Sequence, residues 1–405
     1  MLVSWALMTL LLVLNLAAFP YFAYLAVISL ASILGREKGQ GPLKPQSRLA
    51  VVIPAHDEAV GIAETVQSCL AADYPRSLFR VIVIADNCTD QTAAIANAAG
   101  AVVVERFDQT RKSKGYALGY LFEILAETGQ FALLDAVIVI DADTTIDRTL
   151  LADFDRELSA GHDWIQCYYT VADPDRTWRT QLLNYAFCLY NGVTLLGQNT
   201  IGLSAAFRGN GMCFSTRGLL RKPWKSYGLV EDIDYSWSIR VAGESIKFIT
   251  KSRVYGAMPA TQSSAAATQR RRWEFGRQEI RRKFTPPLLL SRNLGLWEKL
   301  VSFLELTIPS LGWLVIVYLL VVILDICAFV SRPPGDLGWL LLAASLFMTA
   351  ALCAYAASPF LALKLPWKYA ACLVFFPGYL LWKLLTVVQG RPRQWVRTAR
   401  EPRVS

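Results

Sequence analysis

The sequence predicts an α/β domain, built on a mainly parallel sheet with helices on both faces, inserted between membrane-spanning helices. Three observations carry this. The chain is 54% hydrophobic, and the excess lies in residues 1–34 and in the last third, with an ordinary globular mixture between. Within that middle part, short runs rich in Val and Ile alternate with helix-length segments. Two of those runs end directly in an aspartate, Asp86 and Asp141.

Residues 1–34 carry no charge, and Arg36, Lys38, Lys44 and Arg48 follow. The missing basic leader and the length favour a retained span over a cleaved signal. The basic residues after it place the N-terminus outside and the next domain in the cytosol, at a cell membrane. The first unit is therefore residues 1–35, followed by a polar linker, 36–48, that holds Gly39, Gly41, Pro42 and Pro45.

Strand-like runs then occur at Leu49–Pro54, Val81–Ala85, Ala101–Val104 and Ala136–Ile140, with helical segments at Ala59–Ala72 and Asp90–Ala99. Parallel sheets of this kind take ligands at the carboxyl ends of their strands. Asp86 and Asp141 stand at that edge. The domain is read as residues 49–268.

Residues 269–304 are read as basic interfacial helices and 305–390 as the C-terminal membrane region. Leu306–Val330 contains one charge, Asp325, and Leu337–Leu361 contains none. Each is long enough to cross a bilayer. Leu365–Val388 is interrupted by Lys368, Lys383 and a Pro377-Gly378 break. If it also crossed, the basic tail 391–405 would lie outside, so the expectation is three spans with the last stretch re-entrant or interfacial; four spans is the alternative. Asp325, a costly intramembrane carboxylate, is read as reaching headgroups near the outer end.

The net charge of +9 is explained by position. Arg270, Arg271, Arg272, Arg277, Arg281, Arg282 and Lys283 border the apolar block, and Arg391, Arg393, Arg397, Arg400 and Arg403 close the chain. Basic residues beside spans favour anionic lipid headgroups, so membrane lipids rather than nucleic acid are the partners. The eight cysteines form no CxxC pair; Cys327, Cys353 and Cys372 read as small core residues.

Five motifs carry chemistry. Asp141-Ala142-Asp143 follows a strand, where two carboxylates can share a hard cation, Mg²⁺ or Mn²⁺, that bridges a diphosphate; the same residues also serve as plain turn chemistry. Asp86, after Val83-Ile84-Ala85, sits where a base or ribose binds, while Thr89 and Asp90 suit a helix cap. No GxGxxG or Walker A loop follows any strand, which disfavours a dinucleotide fold and a P-loop. Lys114, in Arg111-Lys112-Ser113-Lys114-Gly115, begins a helix, where an anion would offset its charge. In Val230-Glu231-Asp232-Ile233-Asp234, mutual repulsion can lift one carboxyl toward a general base; a solvated helix start explains it equally. Gln269, Arg272 and Trp273 share one helical face that can meet sugar and phosphate.

The ordered series Asp86, Asp141-Ala142-Asp143, Glu231-Asp232 and Gln269-x-x-Arg272-Trp273 resembles the membrane-bound family 2 glycosyltransferases. These include cellulose, chitin, hyaluronan and poly-N-acetylglucosamine synthases and ceramide glucosyltransferases. Ile53-Pro54-Ala55-His56-Asp57-Glu58 and Lys114-Gly115 also match, and the resemblance covers about residues 49–285 with the flanking spans. It implies a GT-A fold and an inverting, metal-dependent transfer of a hexose or N-acetylhexosamine from a UDP-sugar. It further implies that Asp86 contacts the uracil-ribose part and Lys114 the nucleotide or its phosphates. Asp141 and Asp143 would hold the metal, with Asp143 the direct ligand, and Asp232 would take the acceptor's proton. Glu231, Gln269, Arg272 and Trp273 would line the acceptor end and steady the diphosphate. His56-Asp57 departs from the commoner Asn-Glu, so Asp57 and Glu58 carry only a loose donor-site role. The acceptor is expected to be a growing polysaccharide or glycan, with single transfer to a membrane lipid as the alternative. Few spans leave little material for a pore, unless copies self-associate or separate export partners serve. Trp178, Leu182, Leu183, Tyr185, Phe187, Tyr190 and Leu195 read either as an amphipathic seat on the membrane or as core.

Overall fold

The computed structural model describes residues 2–35, 44–258, 264–330 and 335–388. The tail cluster from Arg391 to Arg403, the linker positions Arg36 and Lys38, and the side chain of Gln269 lie outside that description.

Eight strands form one sheet: β1 (Leu49–Ala55), β2 (Phe79–Asp86), β3 (Val102–Arg106), β4 (Ala136–Val139), β5 (Thr144–Ile146), β6 (Trp164–Val171), β7 (Met212–Ser215) and β8 (Lys247–Gly256). Their order is β3-β2-β1-β4-β7-β6-β8-β5. The half that carries β1 to β4 is parallel throughout, as expected. The other half is mixed: β7 runs antiparallel to β4 and β6, β8 is parallel to β6, and β5 is antiparallel to β8. The chain leaves β1 toward β2 and β3 on one side and returns to β4 on the other. That reversal opens a crevice beyond the ends of β1 and β4.

Alternate residues of β1 feed two apolar layers, which is why the strand reads as a continuous apolar run. Leu49, Val51 and Ile53 face Ile62 and Val66 of the helix Ile62–Leu70 and Phe154 of the helix Leu150–Ser159. Ala50 and Val52 face Leu118 and Leu121 of the helix Lys114–Glu127. This second layer is continuous with Phe22, Ile28, Val321 and Met348 in the long apolar helices, so the domain and the membrane helices share one core.

Among the described residues, three helices are long and apolar enough to cross a bilayer: Met8–Leu34, Leu311–Val330 and Asp336–Ala362. The last apolar stretch is divided between a 3-10 segment, Trp367–Phe375, and a helix of 13 residues, Phe376–Val388. At 1.5 Å per residue that helix reaches roughly 20 Å, short of a hydrocarbon core of about 30 Å. Asp325 does not reach outward. It is buried, accepting hydrogen bonds from Asn15 Nδ2 (3.1 and 3.0 Å) and Ser345 Oγ (2.7 Å), which ties the three long helices together. Cys372 is buried as expected, but Cys327 and Cys353 are on exposed helix faces.

Residues 178–200 run between β6 and β7 as the helix Trp178–Phe187, a π-helical turn Cys188–Val193 and the helix Thr194–Thr200. Leu182, Leu183, Tyr185, Phe187 and Leu195 are buried, while Trp178 and Tyr190 are exposed. A Cβ at Gly197 would lie 2.4 Å from the carbonyl of Ile28, so only glycine lets this segment lie against the first long helix.

Candidate active site

One cavity of about 560 Å³ begins at the strand ends and continues between the membrane helices. His56, Glu58, Asp86, Lys114, Asp141, Asp143, Glu231, Asp232, Arg272 and Trp273 all border it. Residues far apart in the chain thus meet because the sheet reverses direction beside β1.

On the β2 side, Asp86 is nearly buried and accepts hydrogen bonds from Arg106 Nη1 (2.6 Å) and Asn87 Nδ2 (3.0 Å). Burial raises its pKa, against the pull of Arg106. Arg106 was not singled out in the sequence; it ends β3, which pairs with β2 so that Asp86 and Arg106 are directly opposite. His56 Nδ1 lies 2.7 Å from the Asp86 carbonyl oxygen, fixing the turn after β1 to the turn after β2. Asp57 does not border the cavity. Its carboxylate accepts from the Thr89 amide (2.6 Å) and the Asp90 amide (3.2 Å), locking the neighbouring loop. Burial would raise its pKa, but the Thr89 and Asp90 donors outweigh it and hold the carboxyl below its usual value. Asp57, Cys88 and Asp90 cluster closely enough to resemble a metal site, yet these hydrogen bonds already account for the arrangement.

Lys114 is the first residue of its helix, capped by Ser113 Oγ, which accepts from Tyr116 N (3.3 Å). Its ammonium group donates to the Asp141 carboxylate and to the Gly209 carbonyl. Burial works against its charge, but Asp141, Glu231 and Asp232 outweigh that and raise its pKa. The lysine therefore stands among the acids in the role of a counter-cation. Gly115 after it has a physical reason: a Cβ there would lie 2.3 Å from the Ser226 carbonyl, which packs on this helix end.

Asp141-Ala142-Asp143 is held at both ends by Asn210, a fully buried side chain. Asn210 Oδ1 accepts from Asp141 N (3.2 Å), and Asn210 Nδ2 donates to Thr144 Oγ1 (2.7 Å), itself 3.4 Å from Asp143 Oδ1. Thr65 Oγ1 donates to the Ala142 carbonyl (2.9 Å), and Ala257 N donates to the Asp143 carbonyl (3.2 Å). Asn210 is presented by the Gly209-Asn210-Gly211 turn, whose glycines adopt φ of +79° and +67°. The turn enters here because antiparallel β7 starts where β4 ends, with Val139 opposite Met212. Its Gly-Asn-Gly signature is a turn signal in the sequence that the motif reading passed over.

Glu231 and Asp232 open the helix Glu231–Val241. Burial, then the neighbouring Asp232, pushes the Glu231 carboxyl up to about 7. Burial raises the Asp232 pKa as well, against the Ile233 amide, Lys114 and Arg208. Burial thus raises both neighbouring carboxyls of this pair. Asp232 is held beside the Gly209 turn: a Cβ at Gly209 would lie 3.3 Å from its Oδ2. Ser236 Oγ donates to the Asp232 carbonyl (2.8 Å) and accepts from Phe207 N (2.7 Å).

The helix Ser264–Leu290 carries Gln269 and brings Arg272, Trp273, Glu274 and Arg277 to the cavity. Trp273 packs with Val171, Leu183 and Phe187. Arg208 and Arg277 also line the cavity, and neither was identified as a site residue in the sequence.

The Asp141–Asp143 donors are hard oxygens on a turn held from below, with an ammonium group already compensating one of them. Such a donor set fits a divalent cation of the Mg²⁺ or Mn²⁺ type.

Residues 45–276 match the sequence model of the family described as glycosyltransferase like family 2. The "Probable glycosyltransferase YdaM" of Bacillus subtilis is 25% identical over 254 residues, 60% of this chain and 58% of that protein. The low-salt glycan biosynthesis hexosyltransferase Agl6 of Haloferax volcanii is 34% identical over 99 residues, 24% of this chain and 22% of that one. The chain therefore spans less than two thirds of either relative. Among solved structures, the mannosyltransferase PcManGT of Pyrobaculum calidifontis, in complex with GDP-Man and Mn²⁺, superposes with a TM-score of 0.53 at 15% identity, over 88% of this chain and 98% of that one. That likeness shows the fold, GT-A-like with apolar helices flanking it. With more than half of the chain, residues 45–276, matched to this family, the chain belongs to the family 2 glycosyltransferases.

Proposed function

We propose that this enzyme transfers a hexose or N-acetylhexosamine, with inversion, from a nucleotide-sugar to a hydroxyl that enters the cavity from the membrane side. The observation that carries this is the cavity itself, which joins Asp86, Asp141 and Asp143 at the strand ends to Asp232 and then to the space between the membrane helices. Asp86, steadied by Arg106, receives the nucleoside, and Lys114 receives phosphate once the donor competes for it. Asp141 and Asp143 would hold the metal, Mg²⁺ or Mn²⁺, which offsets charge on the departing diphosphate. Arg272 lies on the same side to meet that diphosphate. Asp232 accepts the hydroxyl proton as the new bond forms, and the adjacent Glu231 carboxyl tunes the pH at which it is free to do so.

A base with a raised pKa suits an alcohol acceptor, since a hydroxyl must lose its proton in the transition state and a phosphate need not. For the acceptor, the sequence leaned toward a growing glycan. The cavity favours the alternative, a membrane lipid: beyond Asp232 apolar and aromatic residues, Leu25, Leu182, Leu306, Leu314, Tyr355 and Leu380 among them, line it beside a charged group of Arg208, Glu274, Arg277, Glu305 and Lys383. Apolar side chains beside a charged group suit a lipid with a polar head. The donor nucleotide is taken as UDP from the family resemblance, and the GDP-Man-bound mannosyltransferase makes GDP-sugars the second set to try. Basic residues after the first span and before the C-terminal ones support a catalytic domain on the cytosolic side of a cell membrane. The test is nucleotide release from a panel of UDP- and GDP-sugars by the full chain in membranes. Release that needs Mn²⁺ or Mg²⁺ and disappears in Asp143→Ala supports the reading; metal-independent release that survives this change overturns it.

A further inference from the structure

The acidic and basic side chains along the membrane half of the cavity do not balance. Glu274 is paired with Lys383 (2.5 Å), which also donates to Ser310 (2.8 Å). Glu305 is paired with Arg240. Two guanidinium groups remain, those of Arg208 and Arg277, and neither has a carboxylate within ion-pair distance among the described residues. Each is anchored by one backbone carbonyl: Arg208 Nη2 donates to Tyr190 O (3.2 Å) and Arg277 Nη2 to Ile308 O (2.7 Å). Both lie over one aromatic ring, with their guanidinium carbons 5.1 Å and 5.8 Å from the centre of Tyr190. The Nε of Arg208 is buried without a hydrogen-bond partner. Arg208 acts on Asp232 from its side of the ring, and Arg277 borders the segment that opens the second long helix, Leu311–Val330.

Two guanidinium groups held apart by a phenol ring, with unused donors facing a cavity, lack only an anion. Both arginines are half-buried, and a bound phosphate would offset both charges. The donor's diphosphate already has Lys114, the Asp141–Asp143 cation site and Arg272 at the strand end. We infer that Arg208, Arg277 and Tyr190 form a subsite for the phosphate of an anionic lipid acceptor. Its acyl or prenyl chains lie between the membrane helices, and its terminal hydroxyl reaches Asp232. This rests on the lipid reading of the acceptor and narrows it to phosphate-bearing lipids with a free hydroxyl beyond the phosphate.

The probes are phosphatidylglycerol, which has that order of groups, and diacylglycerol, which has the hydroxyl without the phosphate. The full chain in detergent micelles doped with either lipid is followed by native mass spectrometry, and its UDP and GDP affinities in Mn²⁺ are measured by calorimetry. Three forms are compared: wild type, Arg208→Gln/Arg277→Gln, and Arg281→Gln/Arg282→Gln, which removes two charges from the same helix outside the cavity. The expected result is retention of phosphatidylglycerol by wild type and by the second pair, a loss of about tenfold or more in the first pair, and nucleotide affinity unchanged throughout. Loss of nucleotide affinity with lipid retained would give the two arginines to the donor and overturn the subsite. Equal loss of phosphatidylglycerol in both pairs would mean general headgroup attraction and would also overturn it. Tight, equal retention of both lipids in all forms would keep the lipid acceptor and reject the phosphate subsite. Retention of neither would reject the lipid reading, while nucleotide release from the sugar panel would still report on glycosyl transfer itself.

Discussion

Replacing Asn210 by alanine isolates the element that positions the metal-binding turn. The side chain is fully buried and makes one hydrogen bond to each end of Asp141–Thr144. Its removal strands the Asp141 amide and takes a donor from Thr144. Leaving a buried polar group unsatisfied costs about 1–3 kcal/mol. Thr144 keeps its contact with Asp143, so the sum falls at about 2–4 kcal/mol rather than at the upper limit. The larger effect is on rate. A reacting group displaced by about 1 Å loses on the order of a hundredfold, and here both carboxylates of the turn are released together. Nucleotide release at saturating donor should therefore fall about a hundredfold, with a higher Mn²⁺ requirement and a lower thermal midpoint. If the variant instead turned over within about threefold of wild type at the same Mn²⁺ concentration, the turn would not depend on Asn210 and the reasoning would fail.

The paired carboxyls give a pH signature. A carboxyl whose folded pKa is raised binds a proton on folding, so Glu231 contributes its stability below its unfolded pKa of about 4.3 and loses it as pH climbs. The loss is complete once pH passes the folded value of about 7. Thermal melts of wild type from acid to neutral pH should fall with that slope, and Glu231→Gln should flatten it. The same variant should move the rising limb of activity to lower pH, because the neighbouring carboxylate charge beside Asp232 is gone; an unmoved limb would separate Glu231 from the base. In the membrane region, a double-mutant cycle on Asn15 and Asp325 should give a coupling of about 0.6–2 kcal/mol, the range for hydrogen bonds between membrane helices. Nucleotide affinity should stay unchanged, and zero coupling would mean that the two side chains do not meet.

The strands that build the donor side were legible because each is a short apolar run ending in a polar turn. Asp86, Asp141 and Asp143 sit at the sheet edge that the alternation of runs and helices implied. The antiparallel half was not legible. β5 has three residues and β7 four, too few for a periodic signal, and their partners are β8 and β4, far along the chain. The Asn210 clamp was hidden for the same reason, since its partners are 69 and 66 residues away. Asp57 is matched to the donor side only through the family resemblance of the turn after β1, but its positive φ turns the carboxylate onto Thr89 and Asp90. Asp325 looked like a headgroup contact because hydropathy records depth and not helix face; Asn15 and Ser345 meet it across the bundle. Arg208 and Arg277 read as ordinary basic residues, and only the pairing of Glu274 with Lys383 and Glu305 with Arg240 shows which cations remain.

The central claim, that Asp232 deprotonates an acceptor hydroxyl in a site that binds its donor elsewhere, is tested most directly by Asp232→Asn. Sugar transfer and UDP affinity are measured on the same preparation with Mn²⁺ present. Loss of a general base lowers the rate by about 10²–10⁴-fold, and UDP affinity should stay within about twofold of wild type. Transfer that persists in the variant, or UDP affinity that falls together with the rate, would contradict the assignment.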